Sequence, residues 1–526
     1  MKKFTFKTKV MLAFLLITFL YGGAAFAQQT IKGTVFPNGM HTPLKGAVVY
    51  AKENPTNKVF TNNNGEFVLT VKSVPVDIVV SAENYDPQTI KADQNSLIEV
   101  YLNVLKKNKN DYGKSVGVRV KLNPESRDGI LVFESDDNQF KYWFDNRVYL
   151  DGAAYFGDNQ DIGNGVDIRR MRFAMKTLLW GHWGGEIDFD FANLEVDIKD
   201  AYARYLFKKG QIKIGNYKEP FSMETTTTSR YLTFMERPMI NKIAPSRHIG
   251  LSVRKYGLKY FFEGGLFFSE PRNPLMQDQN KKQGQNSGYS LTGRFAYAPI
   301  RKDKLTLHLG VAGSYRTPKL VELGDPSDSY RYSTKAETAI NRKKYIDTDF
   351  IENVKYNTLL GLEAAFAYQN FKVQGEYMRS DISRDADKVP EGEDKAQVHG
   401  FYGMGSWIIF NGDYYYNIGE AEFSQINFRN NRKGSLEMAI RYDFVDANSF
   451  KTGADIPFVA GGSSEGYTIG LTYYFNTNVK VMLNYSYINN DRWADGKGKY
   501  DTYKDLPTGQ AGIDFSMIQT RVEIDF

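Results

Sequence analysis

From about residue 136 to the end, the chain alternates one residue at a time between apolar and polar side chains. Glu186, Asp188 and Asp190 alternate with Ile187, Phe189 and Phe191. Glu437, Ala439, Arg441 and Asp443 alternate with Met438, Ile440, Tyr442 and Phe444. Lys480, Met482, Asn484 and Ser486 alternate with Val479, Val481, Leu483 and Tyr485. Ile168, Arg170, Arg172, Ala174 and Lys176 fall on one face, and Arg169, Met171, Phe173, Met175 and Thr177 on the other. A period of two places charge on one face of a strand and apolar groups on the other. The pattern therefore predicts many strands, each with one apolar face.

Residues 30–104 carry a different rhythm. Ile31–Val35, Gly46–Tyr50, Phe67–Val71 and Val76–Val80 read as short strands separated by turn residues. Pro43, Asn62-Asn63-Asn64-Gly65 and Asn84-Tyr85-Asp86-Pro87 supply those turns. Asn64-Gly65 is a strong hairpin signal, because both residues tolerate positive φ. Short strands at regular spacing predict a small β-sandwich. Residues 105–135, polar and charged, read as a linker with one strand inside it.

Two features decide between a soluble sheet and a membrane barrel. Connections alternate between tight turns (180–185 and 476–478) and long polar loops (269–288, 317–355 and 380–398). Short turns on one side and long loops on the other are the signature of an outer-membrane barrel. The chain also ends on an alternating strand, Arg521 to Phe526, closed by an aromatic residue. The mean hydropathy of −0.46 does not oppose this, since lumen-facing polar residues mask lipid-facing ones in any average. The 35 Tyr and 36 Phe suit the aromatic girdles of such a barrel. The mature chain has no second long apolar run, so no transmembrane helix is expected. About 390 residues at roughly 9–11 per strand plus connections give about 16 strands.

The first 27 residues read as an export signal. Lys2, Lys3, Lys7 and Lys9 precede the apolar run Val10 to Tyr21, and Ala25-Phe26-Ala27 fits a cleavage site. Those four lysines account for most of the formal net charge of +6. The remainder is too small to argue for nucleic acid. With no cysteine in the chain, disulfide and thiolate-metal frameworks are excluded.

Particular residues carry two resemblances. The segments IKGTV, PLKGAVVYA, TNNNGEFVLTV and VVSAENYDPQ are similar to the carboxypeptidase-regulatory-like domain. That resemblance implies a transthyretin-like sandwich of seven strands, frequent at the N-terminus of exported Bacteroidetes-type proteins, and implies no peptidase activity. From about residue 140 to Phe526 the chain resembles the phosphate-selective porin O and P family. The segment Gly215 to Gly250 is the most specific: Lys218-Glu219-Pro220-Phe221, Phe234-Met235-Glu236-Arg237 and Ala244-Pro245 stand in the family's order. The resemblance implies a 16-stranded barrel, commonly a homotrimer in outer-membrane lipid, that passes small anionic solutes such as phosphate by diffusion.

The expected organisation is a signal over 1–27, a sandwich over 28–104, a linker over 105–135 and a barrel over 136–526. The candidate constriction is loop 216–250, whose apolar residues would anchor it while Lys218, Arg230, Arg237, Lys242 and Arg247 face the channel. Arg170, Arg172, Lys176, Arg204 and Lys213 are the strand residues expected along the anion path. Glu186, Asp188 and Asp190 oppose that field, and cross-strand pairing of Arg170 and Arg172 with these acids would leave little net charge on the strand faces. Local pairing inside the loop is an equal alternative for any single basic residue.

No metal, cofactor or nucleophile motif stands out, so no enzyme is expected. Gly462-Ser463-Ser464-Glu465-Gly466 matches G-x-S-x-G but lacks the following helix, and reads as a flexible loop. His182 reads as a turn residue, His308 as lumenal or structural, and His248 lies in the candidate loop. The competing function is a barrel with a closed lumen that binds or assembles with a periplasmic or surface partner through residues 28–104.

Overall fold

The computed structural model describes residues 29–38, 42–83, 85–93, 97–103, 122–157, 163–192, 196–268, 288–302, 304–318, 328–494, 512 and 514–526. The signal segment and His41 lie outside them. Two compact units emerge, Met1–Val120 and Lys121–Phe526.

The first unit has seven strands in two sheets. Gln29–Pro37 lies between Glu66–Val71 and Ile98–Leu102, and Asn54–Phe60, Val48–Ala51, Val76–Ser81 and Gln88–Ala92 form the second sheet in that order. Alternate residues of both sheets, among them Val35, Val49, Leu69, Ile78 and Val100, bury into one core. Gly65 takes positive φ at the predicted turn, where Asn62 Oδ1 accepts from the Asn64 and Glu66 amides (2.9 Å each).

The second unit is a closed antiparallel barrel of 16 strands, from Phe140–Gly157 to Phe515–Asp525. The first and last strands close it, with Arg147 opposite Asp525 and Gly157 opposite Phe515. Leu150, Ile214, Leu251, Leu362, Ile440 and Ile469 face outward and exposed, while charged residues between them face the lumen. Aromatic side chains band both ends of this apolar belt. Trp183 meets Tyr205 at the short-turn end, and Tyr442, Tyr467 and Tyr487 meet across neighbouring strands at the long-loop end. An apolar belt between aromatic girdles is the outer face of a membrane barrel. The short-turn end is then periplasmic.

Several sequence expectations change. Within the linker 105–135, residues 122–135 form a hairpin, Leu122–Arg127 with Ile130–Ser135. Its turn, Asp128-Gly129, has positive φ at both residues, which suits a two-residue connection. Ile130–Ser135 pairs with the first barrel strand at Lys141–Trp143. Loop 216–250 narrows to 219–246, because strands run to Lys218 and restart at Arg247. Strands extend likewise into 380–398, leaving 385–394 as the loop, whereas most of 269–288 lies outside the described residues. Gly462–Gly466 is not a loop. It sits inside Pro457–Tyr474, where Ser464–Gly466 are paired on both sides, and Gly466 leaves room for the in-folded Glu337.

One periplasmic connection breaks the rule of short turns. Residues 411–434 carry two small ladders, Gly412–Asp413 with Asn427–Phe428 and Tyr416–Asn417 with Glu422–Phe423. Tyr416, Ile418, Ala421 and Phe423 of this turn bury against Phe261, Ala296 and Ala365 of the barrel wall, so the turn folds into the lumen.

Candidate functional site

Strand alternation brings the charged residues into the lumen, and loop 219–246 divides it. Near the start of the loop, Ser222 caps the short helix Met223–Thr226 by accepting from the Thr225 amide (3.1 Å). Four residues are too few for a helix to satisfy its own carbonyls. Two predicted pore residues complete the job. Lys218 Nζ donates to the carbonyls of Thr225 (2.6 Å), Thr226 (3.2 Å) and Thr227 (3.2 Å). Arg237 donates to the carbonyls of Glu224 (2.8 Å) and Thr227 (2.5 Å). Both cations thus shape the loop.

Glu236 fixes the loop to the wall. It accepts from Arg169 at 2.7 and 2.9 Å and from Arg521 at 2.8 Å. Burial would raise its carboxyl, but Arg169, Arg521 and Arg170 outweigh burial and hold it well below the usual range. Arg230 reaches Asp145 and Asp525. Glu219, at the loop's start, meets His248 (2.7 Å) and Arg316 (2.8 Å). The apolar residues Phe221, Phe234, Met239, Ile240 and Ile243 bury against Met378, Tyr402, Met404 and Val445 of the opposite wall, as the anchoring expectation requires. Segment 333–347 of the next inward loop packs on the same cluster through Ala336, Tyr345 and Ile346.

The loop therefore lies against the wall formed by the later strands, and open space remains along the first six. A cavity of about 400 Å³ lies on the periplasmic side of the loop, and one of about 320 Å³ on the extracellular side, beneath segment 333–344. Nine of the ten predicted residues line the first; Lys242 lines the second. Arg170, Lys218, Arg237 and Arg247 line both, which places four basic residues at the junction. Basic side chains outnumber acidic ones eight to two around the extracellular cavity and eleven to seven around the periplasmic one.

The predicted neutralisation holds for some residues only. Arg172 pairs with Asp190 (2.9 Å) and Asp188 (3.6 Å), Lys176 with Asp145 (2.8 Å) and Glu186 (3.4 Å), and Arg247 with Asp200 (2.8 Å). Arg170 does not join them. The register slips between Tyr149 and Leu150, opposite Arg170 and Ile168. That bulge sends both Arg169 and Arg170 inward, and Ile168 to the exposed outer face. Arg170 rests over the Tyr149 ring at 5.5 Å. It is 5 % exposed, and its Nε and Nη1 have no hydrogen-bond partner among the described residues. Lys213 sits between the Tyr202 and Tyr217 rings, 4.7 Å from each. Among the described residues Arg204 donates only to Gln211, at 3.4 Å, folding across Gly184, where a Cβ would stand 2.8 Å from its Nε. The lumenal field thus exceeds what strand-face counting predicts.

Glu186, Asp188 and Asp200 place carboxylate oxygens within 4.8 Å of one another. Lys176, Arg172 and Arg247 already compensate them. His182 occupies its turn, and buried His308 shares a hydrogen bond with Tyr416 (2.7 Å). Sequence reading missed Arg147, Arg169, Arg254 and Arg521. Arg147 and Arg521 alternate with apolar neighbours and could have been found that way; Arg169 was hidden by the bulge.

A family model described as phosphate-selective porin O and P matches residues 143–509, and one described as a CarboxypepD_reg-like domain matches 31–116. Porin O of Pseudomonas aeruginosa is 22% identical over 404 residues, covering 71% of this chain and 88% of that protein. An uncharacterized protein of Caulobacter vibrioides is 24% identical over 413 residues, 76% of each chain. Among solved structures, an anion-selective porin from Comamonas acidovorans aligns with a TM-score of 0.45 at 12% identity, over 74% of this chain and 100% of that one.

Proposed function

We propose that this chain, which belongs to the phosphate-selective porin O and P family and is an outer-membrane porin, passes small anions by passive diffusion past a contact point at Arg170. Family and fold point to a channel rather than an enzyme. The observation that carries the anion preference is the junction of the two cavities. Four basic residues line it, and one of them, Arg170, is buried with guanidinium donors that no protein group uses. Those donors are sealed from solvent, so what a passing oxyanion meets at Arg170 is its charge, which no carboxylate among the described residues pairs. Paired cations on either side add a screened field that draws anions toward the junction.

Residues 1–27 fit an export signal, 28–104 an accessory sandwich able to dock a periplasmic or surface partner, and 136–526 the channel. Membership of this family favours a homotrimer here. The competing reading, a closed binding or assembly barrel, draws support from the three segments folded into the lumen. Planar-bilayer recordings of the reconstituted mature protein separate the two. Stable conductance steps with an anion-directed reversal potential under a salt gradient support the channel; a correctly folded barrel without steps supports the closed one.

A further inference from the structure

The periplasmic turn 411–434 reaches the anion path through bonds made by the barrel wall to its backbone. Arg254 donates to the Gly419 carbonyl (3.2 Å), and Arg294 to the carbonyls of Glu420 (3.3 Å) and Ala421 (2.7 Å). Both guanidiniums are themselves fixed, Arg254 by Glu263 (2.7 Å) and Arg294 by Glu363 (2.7 and 3.0 Å). Tyr416 and His308 add a third tether at 2.7 Å. Met223, from the helix that Lys218 caps, buries in the same cluster as Tyr416, Ile418, Ala421 and Phe423. The turn therefore supports the constriction loop from beneath.

Its tip carries two carboxylates, and both line the periplasmic cavity. Glu420 pairs with Arg254 at 2.5 Å and is about half exposed. Glu422 is 8 % exposed. The charged groups acting on Glu422 are Glu420 on the same turn, Lys218 at the junction, and Arg294 and Arg254 on the wall. Basic residues thus dominate the entrance and the junction, and acids, two of ten charged residues around the extracellular cavity, are seven of eighteen around the periplasmic one.

We propose that Glu420 and Glu422 are specificity-determining residues of the pore that release the anion toward the periplasm. They compete with it for Lys218 and Arg254, so an anion that has passed the junction meets cations already partly satisfied. Conduction requires binding strong enough to admit an ion and weak enough to let it leave. This rests on the anion-channel reading. A consequence is pH dependence on the exit side. Burial and Glu420 push the Glu422 carboxyl up to about 7, so acidification through that range removes one competing charge and strengthens anion retention.

The test is reconstitution of the wild-type protein and an E420Q/E422Q variant in planar bilayers, with inorganic sulfate as the blocking anion because it does not titrate in this range. In the variant, the half-blocking sulfate concentration should fall at least about fivefold, the order expected for removing charge beside the path. The reversal potential should move further toward anions. In the wild type, the same strengthening should appear as the pH falls through about 7, and the variant should lack it. Should the double variant fail to assemble, E420Q alone and the wild-type pH series carry the test. Unchanged block and selectivity in the variant, or a wild type indifferent to pH, overturn the proposal. A wild-type channel without anion preference contradicts the reading beneath it, whereas an anion-selective wild type with an indifferent variant contradicts this inference alone.

Discussion

The two halves of the lumen are built from the same alternating pattern and come to opposite ends. Along the first six strands, from Phe140 to Tyr256, inward cations border open space. Along the later strands, several inward charges hold loops. Arg441 grips Glu337 of the second inward loop at 2.7 Å, Asp443 accepts from the Met239 amide at 3.2 Å, and Lys372 donates to Thr233 at 2.9 Å. A charge that faces the lumen becomes a pore residue only if no loop folds over it. The loops choose their wall by their apolar residues: Phe234, Met239 and Ile240 settle where Met378, Met404 and Val445 offer an apolar surface, and the first six strands offer none of comparable extent.

The comparison breaks most sharply at the filled wall. Arg441→Met leaves Glu337 and Asp443 buried without their cation, a loss of about 3–5 kcal/mol for a broken buried pair. It should free segment 333–347, lower the unfolding midpoint in detergent and enlarge the unitary conductance. At the open wall, Arg247→Met removes a junction cation and leaves Asp200 unopposed. It should reduce the anion-to-cation permeability ratio about fivefold, the order of one unit charge at close range in water, with little change in unfolding.

An acid titration sharpens the role of the loop's anchor. Burial would raise the Glu219 carboxyl, but His248 and Arg316 outweigh it and hold it at about 2, below its ordinary 4.5. Its contribution to stability is therefore full above about 4.5 and is lost as the pH falls through about 2. Conductance noise should stay flat down to the upper value and rise below it. The smallest effect is expected from Lys213→Met. Its ammonium lies away from the junction between two tyrosine rings, and selectivity should fall by less than about twofold.

Much of this architecture is legible in the chain. Alternation exposes the strands, and Asn64-Gly65 a hairpin; the apolar residues of 216–250 mark a loop that folds against the wall. Nine of the ten chosen basic residues do meet in one cavity: strand alternation fixes the face of most strand residues, and the inward fold of loop 219–246 brings Arg230 and Arg237. Their roles were not legible. Lys218 and Arg237 serve the carbonyls of a four-residue helix, which only the folded loop creates. Arg170 escapes its predicted acids through a bulge, and bulges leave no mark in a period-two pattern. Turn 411–434 was hidden for a further reason: its inward fold depends on Arg254 and Arg294, more than a hundred residues earlier in the chain.

The most direct test of the central claim is the reversal potential of Arg170→Glu beside the wild type under a KCl gradient. The wild type should give an anion-directed potential and the variant a reversed, cation-directed one, since the substitution turns an unpaired cation at the junction into an acid. An Arg170→Glu channel that conducts and keeps the wild-type potential would contradict it.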